Sequence, residues 1–246
     1  MVQHAARQRP STKPANRHWL ILALLVTLLT QSLPLFQPRW LWVAGFTGVW
    51  KPQQIQTARQ AADRPPPQER QAALDTLAMS ALTKKTPPGE VFGAIQILEK
   101  ARDASGDSGF SNFLTGEWRL VYTTGTKKTE DEVGRINYVP ITAVQRFDMA
   151  ERFIRNGVYL GPISIEFEGT LHWIEERRRL EFDFEELKVC GISLPLPDFV
   201  RSAIGMRSST PYKKQPAFNF VAADDRIAAA RGAGGGVALW LRNELV

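Results

Sequence analysis

Few residues in this 246-residue chain are of types that do chemistry at useful spacings. Its C-terminal half holds a single histidine, His172, set between Leu171 and Trp173, and the only cysteine in the chain is Cys190. Nucleophilic catalysis needs a nucleophile with a base beside it. His172 and Cys190 are well separated, and no Gly-x-Ser-x-Gly elbow is present. A lone histidine in a strand-like segment reads more simply as a solvent-facing or hydrogen-bonded residue. Glu166, Glu168, Glu181, Asp183, Glu185 and Glu186 are candidates for acid–base or metal work. Their alternation with Ile165, Phe167, Phe182 and Phe184 marks them instead as the wet face of strands. The glycine-rich run 232–236 lacks the Gly-Lys-Ser/Thr of a phosphate-binding loop and precedes a strand-like stretch, so it reads as a hairpin turn. One cysteine allows neither an intrachain disulfide nor a cysteine-based metal site. These residues predict a non-enzymatic protein with no metal and no cofactor.

The elements that would carry them are mostly short and alternating. In 118–122, Trp118, Leu120 and Tyr122 fall on one face and Arg119 and Val121 on the other, the period of a half-buried strand. Similar segments recur at 141–147, 151–158, 163–168, 171–174, 180–185, 217–221, 226–230 and 237–242, with Gly169 read as separating two of them and Arg177-Arg-Arg179 as a hairpin tip. Eight or nine such strands with little helix between them predict a mainly β, antiparallel barrel or sandwich. Before it, 68–81 has a stripe of Ala72, Leu74, Leu77 and Ala78, and 90–101 one of Val91, Ile95 and Leu98. These two helices are expected to cover one end of the β domain.

Charge divides the chain differently. Residues 1–62 hold seven basic residues and no acid, which leaves 24 of the 31 basic residues against all 25 acids in the remainder. The folded part is therefore near neutral, which argues against a nucleic-acid partner. A basic start followed by the apolar run 19–29 is built like a secretory signal, and the acid-free stretch after it like an organelle transit peptide. The alternative is an anchor that stays in a membrane through 19–36. The expected organisation is a leader over 1–62, a helical lead-in and linker over 63–110, and a β-barrel domain over 111–246.

Three blocks of residues carry a family resemblance. The first is Leu114-Thr-Gly-Glu-Trp-Arg-Leu-Val-Tyr-Thr-Thr, with Gly116 and Trp118. The second is Gln145 and Asp148 with Asn156 downstream, and the third is Asp224, Ile227, Arg231 and Gly232. In order and spacing they resemble the plastid lipid-associated proteins, also called fibrillins or plastoglobulins, over roughly 90–246. Ala222, Ala223, Ala228 and Ala229 depart from the family pattern, where Tyr-Leu and Arg-Ile are expected, so the chain looks like a divergent member. The Gly-x-Trp opening also resembles the lipocalin and calycin barrels, in which the Trp plugs one end and an Arg of the last strand covers it. Arg242 or Arg231 would be that cation here. The resemblance implies a plastid protein at plastoglobules or the thylakoid surface, facing the stroma. It would bind or organise prenylquinones, carotenoids or galactolipids, or dock an enzyme of isoprenoid or quinone synthesis.

Two places suit an apolar ligand. One is the barrel interior, lined by an inward set expected to include Trp118, Leu120, Tyr122, Phe182, Phe184 and Leu239; the competing outcome is that these side chains fill it. The other is the Pro-rich stretch 191–206, in which Leu194, Leu196, Phe199 and Ile204 would enter a membrane while nearby cations meet anionic headgroups.

Overall fold

A computed structural model describes residues 64–102, 109–125, 137–195 and 216–245. The leader-like 1–62 and the apolar Leu196, Phe199 and Ile204 lie outside the described residues. Helix α1 (Pro67–Thr83) begins with a proline in its first turn, where a missing N–H leaves no intrahelical bond unmade. It ends at Lys84, in the left-handed region, whose N–H bonds the Ser80 carbonyl at 2.9 Å. Helix α2 (Pro88–Ala101) opens the same way, so the proline pair that stops the first helix also starts the second. No described helix is long and apolar enough to cross a membrane.

Nine strands follow: β1 (Gly116–Thr123), β2 (Thr142–Asp148), β3 (Phe153–Leu160), β4 (Ile163–Ile174), β5 (Arg179–Val189), β6 (Ile192–Pro195), β7 (Ala217–Ala223), β8 (Ile227–Gly232) and β9 (Val237–Arg242). Every pairing is antiparallel, in the order β4-β3-β2-β1-β9-β8-β7-β5-β6, and β4 also pairs with β5. Eight strands thus close into a barrel, and β6 sits outside the ring on the edge of β5. The mainly β barrel preceded by short helices is the fold the chain adopts.

Bulges set which side chains enter it. The β1–β9 register slips between Leu120 and Tyr122, so Val121 and Tyr122 both leave the interior that Trp118 and Leu120 enter. Tyr122 and Leu239 therefore do not belong to the inward set; Trp240 takes the inward place on β9. Gly169 does not divide two strands either. It lies inside the continuous β4, where a Cβ would stand 1.9 Å from the Asp183 carbonyl oxygen, and the β4–β5 register shifts beside it.

The helices lie along the barrel wall rather than across an end. Val91, Ile95 and Leu98 of α2 and Ala73, Leu77 and Ala81 of α1 share a core with Val121, Tyr122, Val221, Ile227, Ala229, Leu239 and Leu241. Of the expected α1 stripe Leu77 is buried and Leu74 and Ala78 pack beside it, while Ala72 is exposed and Ala73 and Ala81 complete the buried face. Both faces of β8 and β9 are consequently buried, which is why Ile227–Gly232 and Val237–Arg242 lack a polar period. Polar ties fix the helices in place. The Tyr122 hydroxyl donates to the Pro88 carbonyl at 3.0 Å and the Tyr138 hydroxyl to that of Thr86 at 2.6 Å. Arg231 bonds both oxygens of Glu99, at 2.5 and 2.7 Å, and this carboxylate raises the guanidinium's pKa. Arg231→Met is expected to lower stability by about 1–2 kcal/mol, read as a shifted urea midpoint.

Candidate functional site

The barrel has a sealed end and an apolar opposite end. At the sealed end Trp118 is fully buried and its Nε1 donates to the Leu114 carbonyl at 2.8 Å. The guanidinium of Arg242 stacks on the Trp118 ring at 4.3 Å from its centroid and donates to the carbonyls of Phe113, Thr115 and Asp225. Arg242, not Arg231, is the capping cation. Gly116 makes room for it: φ is +133°, and a Cβ would meet Arg242 Nη1 at 2.6 Å.

Above the seal, rings pack one on another. Phe218 lies 5.2 Å from Phe182 and 5.3 Å from Trp240, and Phe147 lies 6.0 Å from Phe220. Inward alanines on the facing strands, Ala228, Ala230 and Ala238, leave space for them. Ala228 is opposite Trp240 and fully buried, so only a small side chain fits there. Phe182 and Phe184 are inward as expected. This part of the interior is filled.

Strand register lays the remaining inward residues in rows. Phe147, Ile154, Gly169 and Phe184 form one. Gln145, Asn156, Phe167, Leu187 and Leu194 form the next, and Ala143, Val158, Ile165, Val189 and Ile192 the third. Gln145 and Asn156 face each other inside an apolar barrel, 1% and 5% exposed. The Gln145 Oε1 and both side-chain polar atoms of Asn156 have no hydrogen-bond partner, nor has Trp240 Nε1 in the same core. The sequence singled out these two residues only through the family resemblance; the register shows that they meet inside the barrel.

The rows grow more exposed toward β6. The β5–β7 seam holds three register pairs, Arg179–Asn219, Leu180–Phe218 and Glu181–Ala217, extended by a bond from Phe182 N–H to the Pro216 carbonyl. Beyond it β5 pairs with β6 instead, and the sheet carries its apolar face out of the ring. That face ends in Ile192, Ile163 and Leu194, which are 66%, 49% and 42% exposed. Ile192 and Leu194 both belong to the stretch 191–206 expected to contact a membrane, whereas Ile163, at the start of β4, was not among the residues expected there.

The remaining candidates are scattered over the outside. Glu166, Glu168, Asp183, His172 and Glu181 occupy the positions of β4 and β5 that alternate with inward Phe167, Leu171, Phe182 and Leu180, so they do not converge inside the barrel. Lys188 bonds Glu168 at 2.5 Å, which raises its pKa. Burial raises that of Tyr159, with the Glu166 carboxylate adding to it. Cys190 is exposed at the β5–β6 turn. Asp224 accepts the Arg226 and Ile227 N–H groups, both at 2.7 Å, Asp148 accepts that of Glu151, and Gly232 pairs with Gly236: turn-forming roles. No cluster of three or more potential metal ligands occurs among the described residues. Two surface clefts, of about 220 and 470 Å³, flank α1 and share Arg70 and Leu74, but both lie outside the barrel.

No family model matches the chain, and neither does any curated protein.

Proposed function

We propose that this protein binds or organises apolar lipids without a covalent step, receiving them along the inner face of β3–β6. The observation that carries the reading is the continuity of that face. It runs from buried Phe167 through half-buried Ile165 and Leu187 to exposed Ile163, Ile192 and Leu194. Its outer side holds charged pairs such as Lys188–Glu168, so the apolar side is the one available to a lipid. Burying the exposed half of each of these three side chains returns about 1 kcal/mol apiece, enough together to hold a membrane surface weakly and reversibly. The outward positions of His172, Glu166 and Asp183 support a non-enzymatic role. The family resemblance, with its plastid setting at plastoglobules or thylakoids, agrees with such a task and suggests prenylquinones, carotenoids or galactolipids as the lipids.

Ile192→Asp combined with Leu194→Asp is the test. Both side chains are exposed, so the fold should survive, as checked by near-UV circular dichroism. Flotation with galactolipid vesicles should drop at least about tenfold. Equal flotation of the folded variant would refute the reading.

A second reading, a docking scaffold for a biosynthetic enzyme, is favoured by the position of β6 at the end of the sheet order. Among the described residues only one of its edges is paired, and a free edge can accept a strand from a partner. A stable one-to-one complex with such an enzyme, together with no vesicle binding, would select it.

A further inference from the structure

We infer that Gln145 and Asn156 form a polar subsite inside the barrel that takes the uncharged hydroxyl end of an otherwise apolar ligand. The inference rests on the lipid-binding reading and names the chemistry the ligand must have. Gln145 stands between inward Ala143 and Phe147, and Asn156 between inward Ile154 and Val158, so both amides point into the core. They are directly opposite each other, and three of their polar atoms have no partner. An unpaired polar atom in such surroundings is costly, so a guest that bonds the enclosed amides would be favoured once the neighbouring side chains part to admit it.

The guest must satisfy both kinds of atom. Asn156 leaves one donor and one acceptor unpaired, and this holds whichever way the amide is turned. A hydroxyl gives and accepts a hydrogen bond, and so matches it. An ether or ketone only accepts, and would leave the amide oxygens of Asn156 and Gln145 unmet. A carboxylate is worse, because it would face those oxygens with no cation to balance it. The inward residues of the three rows are all uncharged. Arg242, next along the row beyond Trp118, is already bonded to three main-chain carbonyls.

The surroundings fix the ligand's direction. Toward the seal lie the rings of Phe147 and Phe184; toward the rim lie aliphatic Ala143, Val158, Ile165 and Leu160. The head would therefore sit at Asn156 and the tail run up past Leu160, four residues or roughly 13 Å along β3. An apolar chain ending in one hydroxyl fits, whether a long-chain alcohol or a hydroxylated isoprenoid.

Three radiolabelled probes with the same chain test this: hexadecan-1-ol, 1-methoxyhexadecane and palmitate, each offered from cyclodextrin to the full-length protein by dialysis. Hexadecanol should be retained about tenfold better than the ether and palmitate, the worth of one well-made hydrogen bond. In Gln145→Met/Asn156→Leu the alcohol and ether should be retained equally, while the ligand-free variant melts at an equal or higher temperature. Equal retention of all three probes by the native protein would overturn the subsite and leave lipid binding standing. Retention of none would overturn both, with ordered water as the guest of the amides. A preference for the alcohol that survives in the variant would place the head elsewhere. If the double variant does not fold, Gln145→Met alone, of matched length, should lower the preference, and an unchanged preference would overturn the assignment.

Discussion

Trp118→Ala should destabilise the protein by about 3–5 kcal/mol, the range for truncating a fully buried tryptophan in a packed core. Three losses coincide at this residue. The ring is entirely enclosed, its Nε1 bond to the Leu114 carbonyl disappears, and Arg242 loses the surface it stacks on. The guanidinium would keep its bonds to Phe113, Thr115 and Asp225 while standing beside a cavity. Urea unfolding followed by far-UV circular dichroism measures the effect. Trp118→Phe, which keeps most of the area and loses the indole N–H, should cost a smaller share. A loss under about 1 kcal/mol for Trp118→Ala would mean that the seal does not hold the end of the barrel shut.

Gly169→Val should abolish cooperative folding. The glycine faces inward in a row with Ile154 and Phe184, and a Cβ would lie 1.9 Å from the Asp183 oxygen and 2.7 Å from the Phe184 Cα. Those are main-chain atoms of the paired strand, so no rotamer change relieves the contact. Strands β4 and β5 would have to part where they close the ring. Overpacking usually costs about 1–3 kcal/mol, and a clash with backbone belongs at or above the top of that range. Gly93→Ala in α2 is the matched control. Nothing lies within 4 Å of the added carbon, and helix propensity alone should give a gain of about 0.5–1 kcal/mol. A Gly169→Val protein that melts like the native one would place β4 and β5 farther apart than described.

Much of the architecture could be read from alternation. The strands around Phe182 and Phe184 follow from it, since one face of each strand is apolar and the other wet; the Trp118–Arg242 seal was expected only from the likeness to lipocalin barrels, which left Arg231 open as the cation. Alternation fails where both faces are buried. Leu239 and Trp240 are equally apolar, and only the helices packed outside determine which of them points inward. It also fails at bulges: one extra residue at Val121 reverses the side taken by Tyr122, and composition carries no mark of that slip. Gly169 misled for a related reason, because a glycine that breaks a strand and one that lets two strands close look alike in sequence. The polar pair was visible as Gln145 and Asn156, two separate letters of a motif. That they meet, buried and unpaired, depends on the β2–β3 register, which is set by the turn between the strands.

The short junction between β5 and β7 makes the ring uneven in strength. Two continuous runs of neighbouring strands, β1 to β5 and β7 to β9, are zipped along most of β1 and β9, but on the other side by fewer rungs. Parting those rungs needs a local fluctuation rather than global unfolding, and its free energy is a fraction of the whole. The rate at which the interior opens is therefore set by this one junction, while the thermodynamic stability of the barrel is held elsewhere, at the tryptophan and the helices.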